Sequence, residues 1–322
     1  MKILYALQAT GNGHIARANV LIPRLKEFAE VDVFISGQNS QLALNTQSIQ
    51  NKGISLFYSK SGGLNYKKII QKNSMRHFFK SVRNVPVQSY DLIINDFEPV
   101  TAYAARLRNK KIIGLSHQAA VLHQNAPKPK NKYRLGKFVL EHYAPVKSSL
   151  GFHFTKYDDT IFHPVLRNSI KSLQTSQKDY FLVYLPGFHN EKIYQTLSVI
   201  KDSEWIVFSP FSNVSKQQAN CTFFPIDEKL FVSYLANAKG ILCGAGFEFP
   251  AEVIFLKKML YVIPIKGQFE QCCNYLALKE LGITGSEDLN TGKISRWITS
   301  GHISEIIFED QTDEVVQRLL NI

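Results

Sequence analysis

The chain has 322 residues, 45% of them hydrophobic and 12% aromatic. That apolar content excludes a disordered chain, and no apolar run reaches the roughly 18–20 residues of a membrane span. The net charge of +12 is uneven: residues 1–155 hold 22 Lys/Arg against 7 Asp/Glu, whereas residues 156–322 hold 16 against 19.

At roughly 100–200 residues per domain, this length predicts two domains. In the first half, Lys2–Ala9 is an apolar run followed by a glycine turn, with a helix predicted over Ala16–Ala29. The run is too short for a signal h-region, and Gly11-Asn12-Gly13-His14 follows it in place of a cleavage site. It reads as a first buried strand, and the chain is expected in the cytoplasm. Strands are predicted at Val31–Ser36, Ile54–Tyr58, Leu92–Asn95 and Lys111–Ser116, and helices at Tyr66–Val82 and Val100–Leu107. A polar linker is expected over 156–177. In the second half, strands are predicted at Tyr180–Leu185, Trp205–Phe208, Cys221–Phe224, Gly240–Cys243 and Met259–Ile263. Helices are predicted at Glu191–Ile200, Glu228–Asn237, Pro250–Phe255 and Gln268–Leu281, with a terminal helical pattern over Ile303–Ile322. Short strands alternating with helices define an α/β class with parallel, doubly wound sheets. Two such halves, 1–155 and 178–302, would face each other across a cleft beyond their strand ends.

The four cysteines, Cys221, Cys243, Cys272 and Cys273, lack the spacing of a zinc site, and the adjacent pair reads as small buried groups on a helix. From Val33 to Tyr90 there is no acidic residue but there are eight basic ones, which points to an acidic partner or to a generically basic surface. Tyr66–Asn84 alternates Lys and Arg with Ile69, Ile70, Phe78, Phe79 and Val82. Such a helix either lies on an anionic membrane surface or packs its apolar face on its own domain. No nucleic-acid motif accompanies the charge, and no nucleic acid is expected as partner.

Three constellations carry chemistry. Gly11-x-Gly13-x-x-Ala16 fits a loose dinucleotide fingerprint, but the second strand ends Ser36-Gly37-Gln38 without the acid that holds a ribose. The glycines still imply a close approach at a helix start, where His14 is a candidate general base. Asn95-Asp96-Phe97-Glu98 follows a strand. Asp96 can orient His14, stabilise its protonated form, act as base itself, or cap the next helix. Asp96-x-Glu98 also mimics the acid-x-acid pair of metal-dependent transferases, but no metal is expected. The third constellation is Gly244-Ala245-Gly246-Phe247, then Glu252, then Pro264, then Glu270-Gln271 and Asn274. Small residues at a helix start offer N–H groups to a diphosphate, and carboxylates and amides suit sugar and ribose hydroxyls.

This ordered set resembles the donor site of inverting GT-B glycosyltransferases, most nearly the lipid II-forming N-acetylglucosaminyltransferases and UDP-glycosyltransferases. The resemblance extends to Gly-x-Gly-His, with His14 where many relatives carry the base. Pro164-Val165-Leu166-Arg167 is similar to a turn entering the linker, and Ile226 in Phe224-Pro225-Ile226-Asp227 stands where relatives hold the nucleobase. Bulky Phe247, Glu248 and Phe249 depart from the small residues and Thr of relatives, and the amino-terminal loop lacks a third glycine beside His14. The resemblance implies a metal-independent transfer with inversion from a UDP-type sugar to an acceptor hydroxyl, with no cofactor, in cell-envelope polysaccharide or glycolipid synthesis. Its site would comprise His14 and Asp96 as catalytic residues. Gly187, Ile226, Gly244, Ala245, Gly246, Phe247, Glu252, Glu270 and Gln271 would bind the donor, with Gly11, Gly13 and His117 on the acceptor side. An anionic or lipid-linked acceptor at the inner membrane face, with Tyr66–Asn84 on the membrane, and a last helix over 303–322 crossing back to the first half complete the expectation. A hydrolysing nucleotide-sugar 2-epimerase, which needs further carboxylates around the sugar, and a non-catalytic nucleotide-sugar-binding subunit are the alternatives on the same fold.

Overall fold

Residues Lys2–Gln8 form β1, an interior strand of a first sheet, and every side chain from Ile3 to Gln8 is buried. A parallel strand covered on both faces needs such a continuous apolar run. Ile3, Tyr5 and Leu7 join one core, while Leu4 and Ala6 point through the sheet into another with Phe78, Val82 and Ala104. The chain then runs through α1 (Gly13–Lys26), β2 (Glu30–Ser36), β3 (Ile49–Asn51), α2 (Tyr66–Lys72), α3 (Met75–Asn84), β4 (Leu92–Asp96), α4 (Pro99–Leu107), β5 (Ile112–Ser116), α5 (His117–Leu122), α6 (Arg134–Tyr143), β6 (Ser148–Phe152), β7 (Ile161–Phe162) and α7 (Asn168–Lys171). The computed structural model describes all residues except 10, 38–41, 56, 58–65, 131, 132 and 322.

The second half holds β8 (Lys178–Tyr184), α8 (Asn190–Leu197), β9 (Trp205–Phe208), β10 (Lys216–Gln218), β11 (Cys221–Phe224), α9 (Glu228–Asn237), β12 (Ala238–Gly244), α10 (Glu248–Phe255), β13 (Met259–Ile263), α11 (Phe269–Glu280), β14 (Thr284–Gly285), α12 (Thr291–Ser300) and α13 (Thr312–Leu320). The first sheet runs β3-β2-β1-β4-β5-β6-β7 and is parallel throughout. The second runs β10-β11-β9-β8-β12-β13-β14, with only β10 antiparallel to its neighbour. In each sheet the strand order reverses beside its first strand, between β1 and β4 and between β8 and β12. Loops leaving such a switch point diverge and leave a crevice.

Several elements differ from the sequence reading. The third strand lies at Ile49–Asn51, not at Ile54–Tyr58, whose residues 56 and 58 fall outside those described. The basic stretch is two helices: Ser74 caps α3 by accepting from the His77 N–H, and Asn73 turns its side chain to the backbone of Ser55. Within 156–177, β7 extends the edge of the first sheet. The terminal helix is confined to Thr312–Leu320 and packs on α1, where Arg24 Nε donates to Asp313 at 2.9 Å. Cys273 is buried on α11, while Cys272 is half-exposed. Among the described residues no helix is long and apolar enough to cross a membrane.

Candidate active site

The two crevices face each other across one cavity of about 640 Å3. From the first half it is lined by the β1–α1 turn (Gly11, Gly13, His14, Arg17), by Phe97, by His117 and Gln118 at the start of α5, and by Gly136, Val139 and Leu140 of α6. From the second half come Ile226, the β12–α10 turn and the start of α10 (Gly246 to Phe249), Glu252, and Gln268 to Gln271 at the start of α11. Of the candidate donor residues, Ile226, Gly246, Phe247, Glu252, Glu270 and Gln271 reach this wall, whereas Gly187, Gly244 and Ala245 do not. Ala245 lies in the core, and its carbonyl accepts from Asn274 Nδ2 at 3.2 Å. Gly187 packs against Ile265, leaving no room there for a Cβ. These glycines and alanine shape the turns behind the cavity.

On the first-half wall, α1 begins at Gly13 and so carries His14 in its first turn. Asp96 is the last residue of β4, fully buried behind it. His14 Nδ1 lies 2.8 Å from Asp96 Oδ1. The helix cap that Asp96 could have provided is made by Glu98, whose carboxylate accepts from the N–H groups of Val100 and Thr101. Glu98 also takes the hydroxyls of Ser36 and Thr101 and is fully buried, so Asp96-x-Glu98 is not an open carboxylate pair. Among the described residues no group of three or more His, Cys, Asp and Glu is placed to hold a metal ion.

Arg17 was not singled out in the sequence. It lies one turn after His14 on the buried face of α1, 2% exposed, with its guanidinium 5.3 Å from the Phe152 ring. Its Nε and Nη2 donate to the two oxygens of Asp96 at 3.0 and 2.8 Å, and Nη1 donates to Glu248 Oε1 at 2.8 Å. Burial opposes the charge on Arg17, but Asp96 and then Glu248 outweigh it and hold the guanidinium firmly protonated. Burial likewise pushes the Asp96 carboxyl up. Arg17 and then His14 overcome this, and the net shift is downward.

Glu248 belongs to the other half of the molecule, at the start of α10. A Cβ at Gly13 would overlap its carboxylate, so the close approach announced by Gly-x-Gly is that of a side chain from the facing domain. Other contacts cross the cleft. His117 Nε2 lies 2.8 Å from Asn274 Oδ1, its ring stacks on Phe247 with centroids 3.9 Å apart, and Gln118 Nε2 donates to Glu270 at 3.1 Å. Gln271 Oε1 accepts from the Ile265 N–H at 2.9 Å, bracing the loop after β13. Glu252 is buried and gripped by Arg167 through Nε at 2.6 Å and Nη2 at 2.9 Å, so the carboxylate expected to meet a ribose already has a partner. At the β12–α10 turn, Phe247 caps α10 without a side-chain bond, and nothing stands within 4 Å of where a Gly246 Cβ would be. The cavity therefore meets a helix start with uncapped N–H groups on one side and the His14–Asp96 pair on the other.

Two facing, mainly parallel sheet domains with a cleft site between their switch points make up the GT-B architecture. A sequence profile described as glycosyl transferase family 1 matches residues 1–300, and the chain belongs to that family. No curated protein matches the sequence closely enough to count as a relative. Among solved structures it resembles MurG from Acinetobacter baumannii, with a TM-score of 0.58 at 13% identity over 100% of this chain and 99% of that one. It also resembles Phytolacca americana UGT2, solved with UDP-2fluoro-glucose and pterostilbene, with a TM-score of 0.60 at 13% identity over 99% and 92% of the two chains. The kitacinnamycin glycotransferase gives a TM-score of 0.62 at 13% identity over 99% and 93%.

Proposed function

We propose that this glycosyltransferase moves a sugar from a UDP-type nucleotide-sugar to an acceptor hydroxyl, without a metal and with inversion at the anomeric carbon. The observation that carries this reading is the pairing of His14 Nδ1 with Asp96 at 2.8 Å on a residue that lines the cavity. With Nδ1–H directed at an ionised carboxylate, Nε2 keeps its lone pair and takes the acceptor proton. The acceptor oxygen then bonds to the anomeric carbon as the bond from that carbon to the diphosphate oxygen breaks. The nucleoside diphosphate leaves on the opposite face. The open N-terminus of α10 at Gly246–Phe247 would stabilise its charge. The first half thus holds the acceptor, with Gly11, Gly13 and His117 on that side, and the second half holds the donor.

The acceptor is read as anionic or lipid-linked, presented at the inner face of the membrane. Supporting this, α3 leaves Met75 and Phe79 53% and 56% exposed among Lys72, Arg76, Lys80 and Arg83. The helix α6 exposes Leu135 and Phe138 on one side and lines the cavity with Gly136, Val139 and Leu140 on the other. Tyr103 of α4 links the two helices, meeting Phe78 edge-on and donating to the His142 carbonyl at 2.8 Å. A lipid tail lying along this surface would leave its head group at the cavity mouth.

Thermal unfolding with UDP, dTDP, GDP and NADH in parallel tests the donor. A ligand at a hundred times its Kd stabilises the native state by about 2.7 kcal/mol. Stabilisation by UDP with transfer from a UDP-sugar is expected. A His14→Ala protein should keep UDP binding and lose about 100-fold or more of the transfer rate. Stabilisation by NADH alone would remove the reading. Release of a free epimer from donor without acceptor would instead indicate the hydrolysing epimerase, whose need for extra carboxylates Glu248 and Glu270 could meet.

A further inference from the structure

His14 Nδ1 has two competing partners. Asp96 Oδ1 stands 2.8 Å away and would accept its proton, while Arg17 Nη2 stands 3.2 Å away and would donate to its lone pair. A neutral imidazole satisfies only one of them. If Nδ1 carries the proton and donates to Asp96, Nε2 is free to act as a base. If Nδ1 accepts from Arg17, Nε2 carries the proton and cannot take another.

We propose that Glu248 decides between these tautomers, acting through Arg17 from the donor half of the molecule. Its carboxylate draws Nη1 of Arg17 outward at 2.8 Å while Nε and Nη2 stay on Asp96. The guanidinium is a rigid planar fork, so fixing two edges fixes the third. Charge favours the same outcome. Arg17 with Asp96 and Glu248 carries a net charge of −1 behind the His14 ring, and that field favours an N–H pointing into it. Without Glu248, the Arg17–Asp96 pair is neutral, and nothing holds Nη1 back while Nη2, already 3.2 Å from Nδ1, closes on its lone pair.

Glu248 sits at the start of α10, whereas His14, Arg17 and Asp96 belong to the first sheet and its helix. Its carboxylate reaches them only because the two halves close and because residue 13 has no Cβ. Glu248 is thus a positioning residue that arms the base on closure. A cleft gaping open would hold a His14 unable to deprotonate water or acceptor, which protects a bound donor from hydrolysis. This last step rests on the transferase reading above; the tautomer assignment does not.

The test is the ring-nitrogen spectrum of 15N-histidine-labelled protein at a pH where His14 is neutral, with His14→Gln identifying its signals. Protonated and lone-pair nitrogens fall in separate ranges, so the tautomer is read directly. The native protein should show Nδ1–H. Glu248→Gln should move the ring toward Nε2–H. Gly13→Ala, which displaces the carboxylate without changing any charge, should do the same and guards against a fold defect in the first variant. Native protein with Nε2–H, or both variants retaining Nδ1–H, would overturn the proposal. In parallel, Glu248→Gln should lower kcat for transfer while UDP still stabilises the protein. Absence of UDP binding and of transfer in the native protein would instead count against the transferase reading and leave the spectra to decide the tautomer.

Discussion

The guanidinium of Arg167 grips the buried carboxylate of Glu252 with two bonds, 2.6 and 2.9 Å long, and reaches Glu228 with its third edge at 3.1 Å. Burial pushes the Glu252 carboxyl up, and Arg167 pulls it back only in part. Removing one partner of such a pair leaves an uncompensated charge. Arg167→Met should therefore cost about 3 kcal/mol in urea unfolding, at the low end of the range for buried pairs because Arg167 is partly exposed. The double variant Arg167→Met/Glu252→Gln should be less destabilised than Arg167→Met alone. A single variant within about 0.5 kcal/mol of the native protein would mean that the pair is solvated.

Asp96 gives stability a definite pH dependence. Its carboxyl titrates below its ordinary value of 3.8, because Arg17 and His14 outweigh the burial that pushes it up. A folded-state value below the unfolded one means that the stability it contributes is fully present above about pH 4 and is lost as pH falls through the lowered value. Asp96→Asn should be strongly destabilised at neutral pH, where it leaves Arg17 with only Glu248. Its midpoint-against-pH curve should approach the native one in acid. Parallel curves down to pH 2 would show that Asp96 does not carry this linkage.

Much of this site was legible because strand ends and glycine turns mark a switch point. His14 after β1 and Asp96 at the end of β4 are adjacent in space because those strands are hydrogen-bonded neighbours. Ser36, Thr101 and two N–H groups all turn toward Glu98, which settled the capping question that sequence left open. Arg17 was not legible. An arginine on a first helix reads as a surface residue, and the partners that compensate its buried charge, Asp96 and Glu248, lie 79 and 231 positions away. The strands β6 and β7 escaped for another reason: Ser148–Phe152 opens with two serines and contains a glycine, and Ile161–Phe162 is only two residues long. Neither shows a period. They are strands because β5 offers an edge for them to extend.

Lys258 illustrates a polar group that holds the second half together. It is buried, and its ammonium donates to the carbonyls of Ala236 at 2.9 Å, Ala238 at 2.8 Å and Ser176. These acceptors lie at the end of α9, the start of β12 and the segment before β8. Burial lowers the affinity of the amine for its proton, and the three carbonyls take up the hydrogen bonds that water would otherwise accept. Lys258→Met keeps the stem and leaves three carbonyls without this donor. It should cost about 3 kcal/mol, seen as a lower urea midpoint at unchanged slope. A changed slope would mean instead that the unfolding unit itself had altered.

The basic, half-apolar flank formed by α3 and α6 makes the membrane reading measurable. Binding to vesicles containing anionic lipid should weaken steeply between low salt and 0.15 M, where the screening length falls to about 8 Å. Lys72, at the end of α2 just before α3, and Lys80 of α3 are both exposed. At about 1 kcal/mol per basic residue near the surface, Lys72→Ala/Lys80→Ala should weaken binding by roughly 30-fold. Phe79→Ser should weaken it with the salt dependence preserved, because it removes an apolar contact and no charge. Vesicles of neutral lipid should bind little. If anionic vesicles bind no better than neutral ones, or if salt has no effect, the positive field of the first half has another partner. An anionic acceptor in solution would then replace the lipid-linked one, and salt should raise the KM for that acceptor while leaving the donor's unchanged.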